Sequence, residues 1–359
     1  MVTPRSPLSQ GGVERIVLET SKALVARDVH VEILCTDLGL RGFGTQRRCG
    51  LTIRHERCWP SERDWCLAPG IWRSISARDW DLVHVQSYHT LVAPLAMLRA
   101  LQQRLPYLLT FHGGGHSAGW RNHLRPLQLR AQRPLLARAA RLIATARFEL
   151  ERYPRQLRLP RERFALIPNG VELSVPPSAR VDRHPPTLAS IGRLERYKGH
   201  HRVLAAFPHV LEALPQARLL IVGTGPYEAE LRRLAGRLGV QARVAFTSTP
   251  AGEARAMQEI LAQVSLVVLM SEFETHPLVG LEAAAAGRRL LVSDRGGLSE
   301  LAEDGLARSV RHGAGPAELG RMIVEELRRP PPVRRPRLTS WGECADRLLE
   351  LYDEVVGRA

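Results

Sequence analysis

The sequence predicts an α/β fold of two parallel-sheet domains, and three observations carry that prediction. Short β-branched or leucine-rich runs alternate with longer segments of helical spacing, as strand–helix–strand units with helices on both sheet faces require. The length of 359 residues suits two domains. Four prolines within 175–186 (VPPSARVDRHPP) interrupt the pattern near the middle of the chain and read as a linker.

The elements can be justified in order. The turn at Gly11-Gly12 opens a helix over 13–27, and the residues before it should form the central strand. Only ten are available, with Pro4 and Pro7 among them, and proline is poor in a central strand, so this strand is expected to be short or missing. Strands are then expected at 29–36, 51–55, 81–87, 107–112, 141–146 and 163–168. Beyond the linker they recur at 187–192, 217–223, 243–247, 265–270 and 289–293. A Pro/Arg-rich connection, 330–337, leads to a final helix carrying Trp341 and Tyr352. The expected domains are therefore 1–174 and 187–329, followed by 330–359.

Composition narrows the function classes. Hydrophobic residues make up 44% of the chain, too many for a disordered protein. No apolar run is long enough for a membrane span, and the start lacks the apolar stretch of a signal peptide. Five cysteines, odd in number and without CxxC spacing, point to free thiols and a cytoplasmic chain rather than a disulfide or zinc framework. The formal charge is +15, and only Lys22 and Lys198 among the 51 basic residues are lysines. The excess is uneven: residues 1–186 hold 28 basic against 15 acidic side chains, residues 187–329 hold 18 against 16. No acid occurs from 82 to 148, where nine arginines fall, so this half is expected to face something anionic. Within it, 120–142 interleaves six arginines with leucines, either a solvated helix face or a basic amphipathic surface for lipid. Trp59, Trp65, Trp72 and Trp80 cluster, with core packing the plainer reading and an interfacial role the second.

Four constellations could carry chemistry. In 271–287 (SEFETHPLVGLEAAAAG) a buried strand runs into an alanine-rich helix ended by Gly287. Pro277 suits the first helical position, which would leave backbone amides at 278–280 open to a phosphate. Glu274 lies before the helix and Glu282 inside it; a capping carboxylate and a surface glutamate are the bland alternative. In 190–199 (SIGRLERYKG) Arg193 and Lys198 occupy the turn after a strand, where two cations suit a diphosphate. In 222–226 (VGTGP) the glycines read as turn formers, because Glu228 breaks the GxGxxG fingerprint. In 110–116 (TFHGGGH) His112 ends a strand before three glycines, where it is either structural or a hydrogen-bond donor to a ligand.

Together these residues resemble the retaining glycosyltransferases of family 4, which have the GT-B architecture. The matches run in order: Gly11-Gly12-Val13-Glu14, Asp81-Leu82-Val83-His84-Val85, His112-Gly113, Pro168-Asn169-Gly170-Val171, Gly192-Arg193-Leu194 with Lys198-Gly199, Val222-Gly223-Thr224-Gly225-Pro226, the Glu274 and Glu282 pair, and Gly296-Gly297 with Glu300. The resemblance implies two Rossmann-like domains facing across a cleft, with the last helix crossing back to the first domain. It implies that Arg193 and Lys198 bind the diphosphate of a UDP- or GDP-sugar, Glu282 the ribose and Glu274 the donor sugar. Leu278 and Val279 would donate backbone amides, the Gly11-Gly12 turn would meet the phosphate, and His112 would contact sugar or acceptor. It further implies net retention and no metal or cofactor. The expected acceptor is a glycan or lipid-linked glycan, and the excess positive charge of residues 1–186 is expected to hold that half at the cytoplasmic face of the membrane, near anionic lipid. Thr275, His276 and Pro277 replace the small and aromatic residues usual after the first glutamate, and Glu172 replaces an aspartate. A basic scaffold binding membrane lipid or nucleic acid through 82–148 is disfavoured, since it would not require Arg193, Lys198 and both glutamates. The reading expects no nucleic-acid partner. A nicotinamide oxidoreductase is disfavoured by the missing fingerprint, and a degenerate transferase stays open because of the short first strand.

Overall fold

The computed structural model describes residues 1–37, 44–60, 66–113, 119–172, 185–250, 254–329 and 337–357. The chain divides into two units. One comprises Met1–Gly113, Trp120–Gly170 and the residues from Thr339 on; the other comprises Val171–Leu338, with Gly119 counted to it among the described residues. Residues 175–184 of the expected linker and 330–336 of the Pro/Arg-rich connection lie outside the described residues, as does Trp65.

The first unit contains β1 (Glu32–Thr36), β2 (Gly44–Arg48), β3 (Leu51–Glu56), β4 (Val83–Gln86), β5 (Tyr107–Thr110), β6 (Arg141–Ala144) and β7 (Phe164–Leu166). Its helices before the second unit are α1 (Gly12–Val25), α2 (Pro69–Ser76), α3 (Val92–Gln102), α4 (Gly119–Leu136) and α5 (Arg147–Leu157). The strands form two sheets, ordered β1-β3-β2 and β4-β5-β6-β7, and every pair is parallel except β2 with β3. Val2 joins them, pairing in parallel with Leu34 on one side and Val85 on the other. Its N–H donates to the His84 carbonyl at 2.8 Å, and its carbonyl accepts from Gln86 at 2.8 Å. The central strand is thus a single bridged residue, and Pro4, which has no N–H, cannot extend the ladder. Sequence periodicity does not foretell β2, because GTQRR is exposed along its whole length and carries no apolar face.

The second unit contains β8 (Thr187–Ile191), β9 (Arg218–Val222), β10 (Val244–Thr247), β11 (Leu266–Leu269), β12 (Arg289–Ser293) and β13 (Arg308–Val310). They are joined by α6 (His200–Ala213), α7 (Glu228–Arg237), α8 (Ala254–Gln263), α9 (Leu278–Ala285), α10 (Gly297–Glu303) and α11 (Pro316–Arg328). The sheet is wholly parallel, in the order β10-β9-β8-β11-β12-β13. Its inner strands β8, β11 and β12 are buried nearly throughout, as a sheet covered on both faces demands, while the edge strands β10 and β13 are largely open, and a core cluster forms on each face.

The chain ends in α12 (Trp341–Val356), which belongs to the first unit. A capping box starts it: Ser340 Oγ accepts from Glu343 N–H at 3.1 Å, and Glu343 accepts from Ser340 N–H at 2.7 Å. Leu348, Tyr352 and Val355 then pack with Val17 and Leu24 of α1. The expectation of core tryptophans is corrected: Trp59 is 78% exposed and Trp72 and Trp80 are half-buried. Among the described residues no helix is long and apolar enough to cross a membrane.

Candidate functional site

In the second unit the chain winds outward from β8 through β9 to β10, then returns to the other side of β8 as β11. Open α/β sheets bind their ligands outside the carboxyl ends of the strands where the order reverses, which here lies between β8 and β11. The turns after β8 and β11 carry Arg193, Lys198 and Glu274.

Each turn is braced from elsewhere in the unit. Leu194 donates its N–H to the Thr224 carbonyl at 2.8 Å, and Tyr227 donates to the Leu194 carbonyl at 2.9 Å, so the VGTGP turn supports the Arg193 turn. His200 is buried, and that burial pushes its ring down to about 4, so it is neutral at pH 7. It accepts from the Ser190 hydroxyl at 2.8 Å through Nδ1 and donates Nε2–H to the Arg193 carbonyl at 3.1 Å. Gly199 stands at φ +75° between Lys198 and α6, and a Cβ there would lie 2.1 Å from the Met270 carbonyl oxygen. Only glycine permits both the left-handed backbone and this approach, which sets Lys198 beside the end of β11.

Lys198 Nζ donates to Glu274 Oε1 at 2.5 Å, and Ser271 Oγ donates to the same oxygen at 2.9 Å. Both side chains are largely buried, Lys198 at 16% exposure and Glu274 at 20%. Burial works against the charge on Lys198; the Glu274 carboxylate and Tyr197 outweigh it and hold its pKa above the usual lysine value. Lys198 is therefore a fixed cation at pH 7. The Glu274 loop is pinned by Gly297, whose N–H donates to the Glu274 carbonyl at 2.9 Å. A Cβ on Gly297 would sit 1.4 Å from the Thr275 carbonyl oxygen. Ser293 Oγ holds the Ser271 carbonyl at 2.7 Å. Arg193 is half-exposed and already engaged, with Tyr197 Oη at 2.9 Å and Glu195 Oε1 at 2.9 Å.

The start of α9 corrects two expectations. Pro277 is the cap before the helix rather than its first residue. Its carbonyl accepts from Gly280 N–H at 3.0 Å, so that amide is occupied. The amides of Leu278 and Val279 are the first-turn donors left without a partner among the described residues. Glu282 is buried rather than a surface glutamate.

In the first unit, Gly11 caps α1 and Gly12 is its first residue. His112 follows β5 with φ +40°, a left-handed conformation that costs a non-glycine residue about 1–2 kcal/mol. Its buried Nε2–H donates to Gln86 Oε1 at 2.7 Å, and burial pushes the ring down to about 4. Strain of this kind persists where the surroundings impose it and clusters at functional sites. Gly114 and Gly115 of this turn lie outside the described residues. Among the described residues, no group of three or more His, Cys, Asp or Glu side chains could hold a metal ion. All five cysteines are free thiols.

Sequence motifs find the turns, yet miss Ser271, Ser293 and His200 as their braces. These are single polar residues of common type, and nothing local distinguishes them.

Comparison with known proteins follows the same division. Residues 10–175 match the family described as Glycosyltransferase Family 4, and residues 176–324 match Glycosyl transferases group 1. A glycogen synthase of Mycobacterium tuberculosis is 29% identical over 291 residues, covering 77% of this chain and 69% of that protein. The D-inositol 3-phosphate glycosyltransferase 1 of Catenulispora acidiphila is 26% identical over 396 aligned positions, 98% of this chain and 94% of its own length. Among solved structures, sucrose-phosphate synthase from Thermosynechococcus elongatus superposes with a TM-score of 0.76 at 20% identity, covering 100% of this chain and 98% of that one. Anabaena HepE in complex with UDP-glucose superposes with a TM-score of 0.69 at 18% identity, covering 99% and 97%.

Proposed function

The chain belongs to the family-4 glycosyltransferases of GT-B architecture, and on that premise we propose a metal-independent hexosyltransferase acting with retention. Its donor is a UDP- or GDP-sugar, and its acceptor a glycan or lipid-linked glycan at the cytoplasmic face of the membrane. The observation that carries this reading is the Lys198–Glu274 pair, 2.5 Å apart at the switch point of the six-stranded sheet. A diphosphate leaving without a divalent ion needs fixed positive charge at the departing oxygens. Lys198 supplies it from a buried position, Arg193 from the adjacent turn, and the Leu278 and Val279 amides from a helix start. Glu274 contacts the sugar and Glu282 the ribose. His112 and the Gly11-Gly12 turn are the first unit's share, assigned on the family pattern.

In the proposed step the acceptor hydroxyl attacks the anomeric carbon from the face on which the diphosphate departs. The carbon–oxygen bond to phosphate breaks, its electron pair stays with the phosphate, and the acceptor proton passes to that phosphate. Retention follows from same-face substitution. UDP-glucose in complex with HepE supports a uridine donor for this architecture.

A thermal-shift screen of nucleotide sugars tests the donor. A ligand at a hundred times its Kd stabilises the fold by about 2.7 kcal/mol. Lys198→Ala with Glu274→Ala should abolish transfer, and unchanged turnover in that variant would overturn the assignment. Membrane association rests on the acid-free 82–148 stretch. On α4, Leu129 and Leu136 are buried while Arg130 and Arg133 are exposed, with Leu127 64% exposed beside them, and Arg138 is exposed just after the helix. Vesicle flotation should show preference for anionic lipid, and equal recovery with neutral vesicles would remove the membrane from the proposal.

A further inference from the structure

Arg193 and Lys198 stand in the same turn after β8, and the residue just before Lys198 touches both. Tyr197 is buried, at 4% exposure, in the short 3₁₀ turn Arg196–Lys198. Its hydroxyl oxygen accepts from Arg193 Nη2 at 2.9 Å. Its ring lies under Lys198, whose Nζ stands 5.3 Å from the centroid. An ammonium within about 6 Å of an aromatic face is drawn to the negative surface of the ring. The backbone is fixed as well, since the Tyr197 carbonyl accepts from Glu272 N–H at 2.8 Å. That bond joins the turn after β8 to the turn after β11, where Glu274 stands.

The two cations need such a post between them. Their like charges repel, and the Arg193 charge works against the one on Lys198. Lys198 has Glu274 to hold it, whereas Arg193 is half-exposed and pairs with Glu195 Oε1 at 2.9 Å. An ion pair this open to water contributes little. A diphosphate arriving at the turn would compete with Glu195 for the same guanidinium group. The neutral Tyr197 hydroxyl brings no charge to that competition and can stay in place while Glu195 is displaced. Arginine presents five N–H donors in a planar fork, so one can remain on the phenol oxygen while others turn to phosphate.

We infer that Tyr197 is a positioning residue: through Arg193 and Lys198 it sets the spacing at which the two cations take up the donor diphosphate. The diphosphate in that role rests on the transferase reading above; the contacts of Tyr197 do not.

The test is calorimetric titration of the full chain with UDP and, in parallel, with GDP. Tyr197→Phe keeps the ring under Lys198 and deletes only the hydroxyl. It should weaken nucleotide binding about tenfold, the lower end of the loss for a hydrogen bond to a charged group, since Arg193 is half-exposed. Arg193→Ala should weaken binding at least as much. Adding Tyr197→Phe to Arg193→Ala should then cost no more than about twofold further, because the hydroxyl has no guanidinium group left to hold. A residue that merely supports the fold would cost the same in both backgrounds. Tyr197→Leu removes the ring too and should bind more weakly than Tyr197→Phe; equal binding would overturn the link to Lys198. Wild-type affinity in Tyr197→Phe, or the same tenfold cost with and without Arg193, would overturn the positioning role while the transferase reading stands. Failure of the wild-type protein to bind either nucleotide would instead take down the transferase reading, and the diphosphate role of Tyr197 with it.

Discussion

Replacing Lys198 by Met removes the cation from Glu274 while keeping the stem volume. The carboxylate then retains Ser271 Oγ at 2.9 Å but loses its counter-charge at 2.5 Å, in a position 20% exposed. Breaking one partner of a fully buried pair costs about 3–5 kcal/mol, and the residual exposure here favours the lower end, about 3 kcal/mol. For a unit of this size that is roughly 6–12 °C in midpoint. Glu274→Met should cost a similar amount by stranding Lys198. The double variant replaces both charges by apolar groups, which is often near neutral, so the two singles should be strongly non-additive, with a coupling of about 6 kcal/mol in magnitude. Urea and thermal melts of all four proteins, with nucleotide-sugar turnover measured beside them, make the assay. The double variant should regain stability yet stay inactive, separating the structural role of the pair from its chemical one. Additive single costs would refute the reasoning, because they would mean that the two groups do not act as a unit.

Other predictions come from the same geometry. Gly297→Ala places a Cβ against the Thr275 carbonyl and must displace the Glu274 loop; kcat/KM should fall about a hundredfold, as for a misplacement of about 1 Å, and wild-type kinetics would show that the loop does not position the reaction. Burial holds His84 and His89 down to about 3 and His112 and His200 down to about 4, below the unfolded value of about 6.5. Their stabilising contribution is present above pH 6.5 and is lost as pH falls towards 4. The unfolding free energy should therefore drop steeply below pH 6, by up to about 5 kcal/mol per pH unit if all four act, and a flat profile in urea melts would contradict neutral burial. Glu149 has the opposite sign. Burial raises it to about 7, so its contribution is full below the unfolded value and is lost as pH rises through 7. Glu149→Gln should stabilise the protein at pH 8 by about 1–3 kcal/mol and no more than marginally at pH 4. Ser340→Ala removes the α12 cap and should cost about 1 kcal/mol in urea melts.

Much of the architecture was legible beforehand because its signals are local. A buried parallel strand must be apolar along its length and short, so runs such as 265–270 and 289–293 declare themselves without knowledge of their neighbours. The turns at Arg193, Lys198 and Glu274 were legible for a related reason: glycines and charges just past such runs stand at carboxyl strand ends. That the first strand is cut short was legible from Pro4 and Pro7, but that Val2 alone is bridged on both sides was not, since one residue has no periodicity, and neither was exposed β2.

The sequence by itself determined the alternation of elements, the family, the acid-free half and the lysine retained in a near-neutral one. Tertiary structure alone decided that Lys198 and Glu274 share a hydrogen bond, that Gly297 and Ser271 hold the glutamate in place, and that Pro277 caps α9 instead of beginning it. The reason is physical. Periodicity records which face of an element is buried, a property of neighbouring residues, whereas hydrogen-bond partners and burial of polar atoms depend on which crossovers bring distant turns together. Lys198 and Glu274 lie 76 residues apart, and only the reversal of strand order at β8 and β11 makes them neighbours.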